Sequence, residues 1–323
     1  MSTPISRVSS NARRDPDSPT TAVEGIARSV ELDNPVLLVA SDGGRPAGAA
    51  LRVADALARS DGRIVELLVV VDRMSLGIPE GMLTHAELAA DSMIDGTTVG
   101  QVRRQLRAIP SSGGWTVQLE FGRAAPTIAR VARERGAGLV VLGLGKHTPL
   151  TRLFGAETVL RVLRLSDVPL LAVHPQARQR PRTIVAAIDF GRSSVRAARI
   201  ARRLVATPGT LHLVHVRPPF EYRPVGSEGW EKIYAEGVRD AFEKLVRELE
   251  PSDQVRITTE VVRGGVAESL LDAAAAHGAD LIATGSHSHP LVDRLLIGMT
   301  PTVLIRAAAT SVLVAPPETD EKV

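Results

Sequence analysis

One segment occurs twice in this chain, each time after an apolar run of strand type: GLGKHTPLTRLFGAE from Gly143 and GSHSHPLVDRLLIGMT from Gly285. The copies begin about 140 residues apart, so the chain is constrained to fold as one loop-bearing unit duplicated in tandem. The openings of the two units repeat as well. LLVASDGGRPAGAALRVADALA, around Asp42, aligns without gaps with IVAAIDFGRSSVRAARIARRLV, around Asp189, each an apolar run, an acid, a turn and a helical pattern. Apolar positions recur at matching offsets: Ala50, Leu51, Ala54, Leu57 and Ala58 in the first, Ala197, Ala198, Ala201, Leu204 and Val205 in the second. That spacing marks one buried face of an amphipathic helix.

With 323 residues and 44% hydrophobic content, the chain can bury two cores of ordinary domain size. No apolar run reaches the ~18 residues of a spanning helix, and the N-terminus lacks the apolar centre of a signal peptide. The expectation is a soluble, cytoplasmic protein without a membrane partner. There is no cysteine, which excludes disulfides, thiol catalysis and cysteine-ligated metal. A net charge of +3 on a chain of this length is weak, and Arg103, Arg104 and Arg107 share a helical pattern with apolar residues. They read as solvated helix faces rather than a nucleic-acid surface.

Residues 1–33 are rich in Ser, Thr, Pro, Arg and Asp with little periodicity, and are expected to form a disordered N-terminal tail. Asp15 and Asp17 argue against a transit peptide. Domain 1 is expected over 34–175, a polar linker over 176–181 within HPQARQRP, domain 2 over 182–316, and a C-terminal tail over 317–323. Strands are predicted at about 36–41, 64–71, 115–121, 138–143 and 168–173, then at about 183–188, 210–216, 255–262, 279–284 and 311–315, with helices in most of the gaps. Alternating strands and helices give an α/β fold, here two tandem, doubly wound, Rossmann-like domains with five-stranded parallel sheets. In a strand order such as 3-2-1-4-5, strands one and four are neighbours, so the acid and the glycine loop share one crevice at the carboxyl ends of the strands.

At these residues both units resemble the universal stress protein (UspA) family, and the chain from Pro35 to Pro316 resembles a tandem two-domain member. In the family's nucleotide-binding branch, G-x2-G-x9-G-[ST] follows strand four and an Asp ends strand one. The resemblance implies Asp42 and Asp189 at the nucleoside end of ATP, Val70 and Val216 beside adenine, and the loops at the phosphates, with Mg²⁺ accompanying ATP as the only metal. The loop candidates are Gly143, Gly145, Lys146 and Gly155 in the first unit, and Gly285, Ser288, Gly298 and Thr300 in the second. Glycines let backbone N–H groups approach an anion, and the following helix N-terminus adds a favourable dipole.

Both loops depart from the family pattern. Gly145 and Gly155 keep the nine-residue spacing, but Gly143 stands one residue too close and Ala156 holds the hydroxyl position, leaving Lys146, His147 and Arg152 as side-chain anion contacts. In the second loop Ser288 replaces the middle glycine and Met299 the hydroxyl. Thr300 follows, but one residue turns a side chain about 100° around a helix; its simpler role is N-cap to a helix opened by Pro301, with phosphate contact as the other reading. Asp42 and Asp189 keep two readings, nucleoside recognition and closure of an Asx-type turn.

Metal-site, hydrolase and dehydrogenase patterns are absent from the sequence. His287 and His289 have no third ligand in view, His215 has no nucleophile partner, and neither G-x-S-x-G nor a first-strand G-x-G-x-x-G occurs. Phe220, Tyr222, Trp230, Tyr234 and Phe242 gather in one segment of the second unit. Trp230, Tyr234 and Phe242 have helical spacing for packing on the sheet, while Phe220 and Tyr222 suit a crevice or partner surface.

Single-domain family members commonly dimerise through the last strand, which implies that VPLLAV from Val168 and SVLVA from Ser311 pair within this chain as an intramolecular pseudo-dimer with an inter-unit core. A homodimer of chains and an unidentified protein partner are both compatible with that arrangement. The function expected is that of a stress-response regulatory protein acting through partner binding, with weak nucleotide affinity; the alternative is an ATP-binding regulator, with slow hydrolysis, that uses one of the two crevices.

Overall fold

The computed structural model describes residues 34–71, 98–145, 155–217, 229–286 and 298–317. The first unit comprises β1 (Val36–Ser41), α1 (Arg45–Asp61), β2 (Ile64–Val71), α2 (Thr98–Arg107), a 3-10 turn (Pro110–Gly114), β3 (Thr116–Phe121), α3 (Ala124–Glu134), β4 (Leu139–Gly143), α4 (Ala156–Leu165) and β5 (Leu170–Val173). The second comprises β6 (Thr183–Ala187), α5 (Arg192–Leu204), β7 (Gly209–Arg217), α6 (Trp230–Glu248), β8 (Val255–Arg263), α7 (Val266–His277), β9 (Leu281–Gly285), α8 (Met299–Ala307) and β10 (Ser311–Ala315). Among the described residues no helix is long and apolar enough to cross a membrane.

Strands with both faces covered must be apolar throughout, and short runs such as VLLVAS and LVVLG satisfy that condition. Within each unit all pairs are parallel and the order is 3-2-1-4-5. The two halves then meet edge to edge, β5 against β10, in an antiparallel ladder that sets Val312 opposite Ala172, Leu313 opposite Leu171 and Val314 opposite Leu170. The result is one ten-stranded sheet, β3-β2-β1-β4-β5-β10-β9-β6-β7-β8.

That junction gives the expected inter-unit core its form. Two cores do form, but the sheet divides them by face rather than by unit. Leu37, Val39 and Leu67 of the first unit share one cluster with Ile184, Leu211 and Leu313 of the second, under α1, α2, α5 and α6. Leu38, Leu68 and Leu142 share the other with Val185, Ile282 and Val314, under α3, α4, α7 and α8. Side chains alternate across a strand, so once β5 and β10 pair, each face continues across the chain. All the apolar positions predicted for α1 and α5 pack on the first of these cores, Ala58 at its margin.

Polar contacts reinforce the junction. Arg306 on α8 reaches Glu157 on α4 at 2.6 Å, and that hydrogen bond holds the Glu157 carboxyl below the usual carboxylate range, against the opposing effect of desolvation. The chain between the units is pinned by Arg180. Its guanidinium reaches Ser60 Oγ (2.5 Å) and Asp61 Oδ1 (2.7 Å) at the end of α1 and the carbonyls of Arg203 (2.5 Å), Leu204 (3.3 Å) and Val205 (3.3 Å) at the end of α5. One side chain thereby satisfies carbonyls that a helix end leaves open and ties two helices from different units. Arg180→Ala should lower the unfolding free energy by about 1–2 kcal/mol in urea titration; an unchanged midpoint would show the clamp to be incidental.

In the second unit the rings of His212 on β7 and His277 at the end of α7 stack at 3.8 Å between centroids. His212 Nδ1 lies 2.7 Å from Thr258 Oγ1, and His277 Nε2 lies 3.0 Å from Glu260 Oε2. Desolvation, and then the charge that His277 can carry, push the His212 imidazole below its ordinary value, with Glu260 opposing. Above a pH of about 6.5 His212 is neutral folded or unfolded; below it the unfolded chain takes up the proton first, so stability declines as pH falls, until the folded imidazole also titrates. Thermal unfolding should therefore occur at lower temperature at about pH 5.5 than at about 7.5, and His212→Gln should flatten that dependence; an identical slope in the variant would remove His212 as its source.

Candidate functional site

The reversal of strand order falls between β1 and β4 in the first unit and between β6 and β9 in the second, so each unit opens a crevice at the carboxyl end of those strands. In both, the acid after the first strand closes an Asx turn. Asp42 Oδ1 accepts from Gly44 N at 2.8 Å, and Asp189 Oδ1 accepts from Gly191 N at 2.9 Å. The turn reading is therefore realised twice, and it aims each acid at the start of the next helix. The hydroxyls that brace the two turns differ: Ser194 Oγ donates to Asp189 Oδ1 at 2.5 Å, where the first unit carries Ala47, while Ser41 Oγ accepts from Gly43 N at 3.1 Å in the first turn. The first turn is also held by Gln105 Nε2 on the carbonyls of Gly43 (2.8 Å) and Gly44 (2.9 Å).

The glycines that end β4 and β9 have a packing reason of their own. A Cβ on Gly285 would stand 2.8 Å from the backbone carbon and Cβ of Ser193, and one on Gly143 would overlap the carbonyl carbon of Pro46. Strand four and the first helix of each unit touch backbone to backbone at that point, which draws the acid and the glycine together. Gly145 follows β4, and Gly155 is the N-cap of α4. Lys146, His147, Arg152, Ser288, His287 and His289 lie outside the described residues, as do Phe220 and Tyr222 and the two expected tails up to Asp33 and beyond Pro317.

In the second unit Asp189, Val216, Gly285, Gly298 and Thr300 line a single cavity of about 280 Å³. Val216 is nearly buried and Val70, its counterpart, fully so, each in the core of the sheet face that carries α3, α4, α7 and α8. One expectation is corrected here. Thr300 is not the N-cap: α8 begins at Met299 with Gly298 as its N-cap, and no side chain caps it. Gly298 N donates to Ser286 O at 2.9 Å, which fixes the helix start one residue after Gly298. Pro301 then falls third in the helix, where its missing N–H is still one of the unpaired donors. Met299, at the hydroxyl position, is 83% exposed.

A partly buried polar network beside this crevice was not foreseen. His215 Nδ1 donates to Ile188 O at 2.7 Å, since a carbonyl can only accept; in the neutral ring Nε2 then accepts from Tyr234 OH at 2.7 Å. Arg217, 6% exposed, lies 4.5 Å over the Tyr234 ring and pairs with Glu231 at 2.5 Å. Phe190, in left-handed backbone at φ 62°, packs its ring against His215 and edge-on to Phe242. Tyr234 and Phe242 thus pack on the sheet as their spacing predicted; the Trp230 side chain lies outside the described residues. The register of strand two against strand one sets His215 and Arg217 where the first unit has Val69 and Val71. Through Ile188, the network anchors the residue that precedes Asp189.

Two doubly wound units, each bringing an acid-bearing turn to a strand-four glycine and fused through their last strands, define a tandem α/β protein. The model of the Universal stress protein family matches residues 35–174 and again 181–316, and the chain belongs to that family. Among solved structures it is similar to a universal stress protein from Archaeoglobus fulgidus DSM 4304, at 16% identity and TM-score 0.62, over 88% of this chain and 99% of that one. A protein of unknown function from Pseudomonas aeruginosa PAO1 is similar at 20% identity and TM-score 0.58, over 89% and 94% of the two chains. A candidate universal stress protein from Pseudomonas aeruginosa UCBPP-PA14 stands at 21% and 0.58, over 89% and 95%. No curated protein matches the chain.

If the strand-four glycine is a packing requirement, Gly285→Ala should destabilise the protein by about 1–3 kcal/mol through overpacking against Ser193. Denaturant unfolding reads this directly, and wild-type stability in the variant would refute it.

Proposed function

We propose that this universal stress protein is a cytoplasmic stress-response regulator that acts through a protein partner, with the second-unit crevice as a low-affinity site for the nucleoside end of ATP. The observation that carries this reading is the single cavity that gathers Asp189, Val216, Gly285, Gly298 and Thr300. Its volume, about 280 Å³, is close to the lower limit of small-molecule pockets, about 300 Å³, which suits a nucleoside better than a whole nucleotide. Asp189, held by Gly191 and Ser194, would orient a sugar or base hydroxyl, and Val216 would lie against a ring. The phosphate end fits less well. Met299 and Ala156 offer no hydroxyl, and Pro301 removes one N–H from the first turn of α8, so the anion contacts there would be backbone amides and the Thr300 hydroxyl.

The second reading is a nucleotide-driven regulator, with Mg²⁺-ATP as its ligand; the convergence of those residues on one cavity favours it over a purely structural crevice. Affinity separates the two. Calorimetric titration with ATP, with and without Mg²⁺, should give a dissociation constant of about 100 µM or weaker for the partner-acting protein. Asp189→Ala should abolish that binding and Asp42→Ala leave it unchanged. Binding near 1 µM, about −8 kcal/mol, would establish the nucleotide-driven reading instead. An absence of heat at millimolar ATP would remove the nucleotide from both.

A further inference from the structure

At one end of the sheet stands β8, VRITTEVVR. Its inner side is taken by β7: Gln254 O accepts from Gly209 N (3.0 Å), and Gly264 N donates to Arg217 O (3.2 Å). Backbone groups alternate along a strand, so the even-numbered residues turn toward β7 while Ile257, Thr259 and Val261 turn their N–H and C=O groups outward. Next to this edge runs a groove of about 860 Å³ between β8 and α6, floored by Val238, Phe242, Ile257 and Val261. Val261 is 49% exposed. Edges of this kind attract another strand unless something blocks them, and β8 carries no proline.

We propose that β8 is an interface between two copies of this chain, paired antiparallel about a two-fold axis at Thr258. Outward-facing residues must meet outward-facing residues, which restricts the possible registers. In the register centred on Thr258, Ile257 of each copy faces Thr259 of the other and exchanges both backbone hydrogen bonds with it, and Val255 faces Val261. Arg256 then faces Glu260 of the second copy on both sides of the axis, in the non-hydrogen-bonded pairs where side chains approach most closely. The neighbouring registers lose this match. Centring on Ile257 or Thr259 sets Arg256 against Thr258 or Val262, and centring on Arg256 or Glu260 places two like charges face to face. The strand is therefore complementary to itself in charge in one register, which is what an isologous interface requires. Glu260 is held at the edge by His277 Nε2 at 3.0 Å within its own copy. A second copy also suits the groove, because the pairing lays Val255 and Ile257 of one chain beside the exposed Val261 and Thr259 of the other.

The absence of cysteine gives a direct test. Thr258→Cys introduces a single thiol, and the two-fold axis sets two such thiols at a Cα separation of about 4.5 Å, within disulfide range. Oxidation of the full chain should yield a disulfide-linked dimer, whereas Thr116→Cys on the opposite edge strand should stay monomeric. Sedimentation equilibrium of the unmodified chain should show a dimer. Arg256→Glu should weaken it by about tenfold or more, and the double substitution Arg256→Glu with Glu260→Arg should restore it. Circular dichroism on each variant guards against unfolding. A native chain that stays monomeric at ~100 µM overturns the proposal and leaves the edge to some other partner. A dimer indifferent to the charge reversal, and not captured through Thr258→Cys, overturns it equally by placing the interface elsewhere.

Discussion

The whole molecule depends on the antiparallel ladder between β5 and β10. Leu170, Leu171 and Ala172 face Val314, Leu313 and Val312, all of them buried. In an isolated unit the last strand would be an open edge flanked by apolar faces, with unpaired backbone groups and uncovered side chains. Pairing the two last strands removes both edges together and carries each hydrophobic face from one half to the other. Because the cores then follow the faces of the sheet, neither half has a hydrophobic core to itself. Stability is expected to be shared, and a defect deep in one half should be felt in the other. The Arg306–Glu157 pair and the Arg180 clamp lie on opposite faces of that junction and limit how far the halves can shift.

Duplication supplied two crevices, and the packing around them has diverged. The shared geometry is a contact between strand four and the first helix so close that only glycine fits, at Gly143 and at Gly285. This contact places an Asx turn opposite a glycine whether or not a ligand is present, so the motif by itself reports the fold before it reports binding. The difference lies in what strand two presents to that same sheet face. The first unit fills it with Val69 and Val71, while the second places there a half-buried His215 and a buried Arg217, which carry Tyr234 and Glu231 with them. Buried polar groups are tolerated only when their partners are in place. The second unit therefore holds its acid turn through a connected network from α6, and the first holds its own through Gln105 of α2. Two crevices with one backbone plan are thus supported by different chemistry.

Much of this was legible in the chain itself. The repeated loop, the gapless alignment around Asp42 and Asp189, and the apolar offsets from Ala50 and Ala197 determined two doubly wound units, because hydrophobic period and turn chemistry are local properties; the strand order 3-2-1-4-5 was one candidate until the sheet fixed it. The pairing of β5 with β10 was also within reach, since an apolar final strand must be covered. Tertiary structure decided the rest. That the cores divide by sheet face follows from which edges meet, and no periodicity within one unit encodes it. Thr300 lost its capping role because Gly298 is held by the carbonyl of Ser286, a contact across the loop. His215 could be read only as a lone histidine until the fold set Tyr234, nineteen residues away, against its ring. Sequence determines which groups a strand or helix presents; only the assembled sheet determines which groups they meet, because hydrogen-bond partners and overlapping atoms depend on distances between segments far apart in the chain.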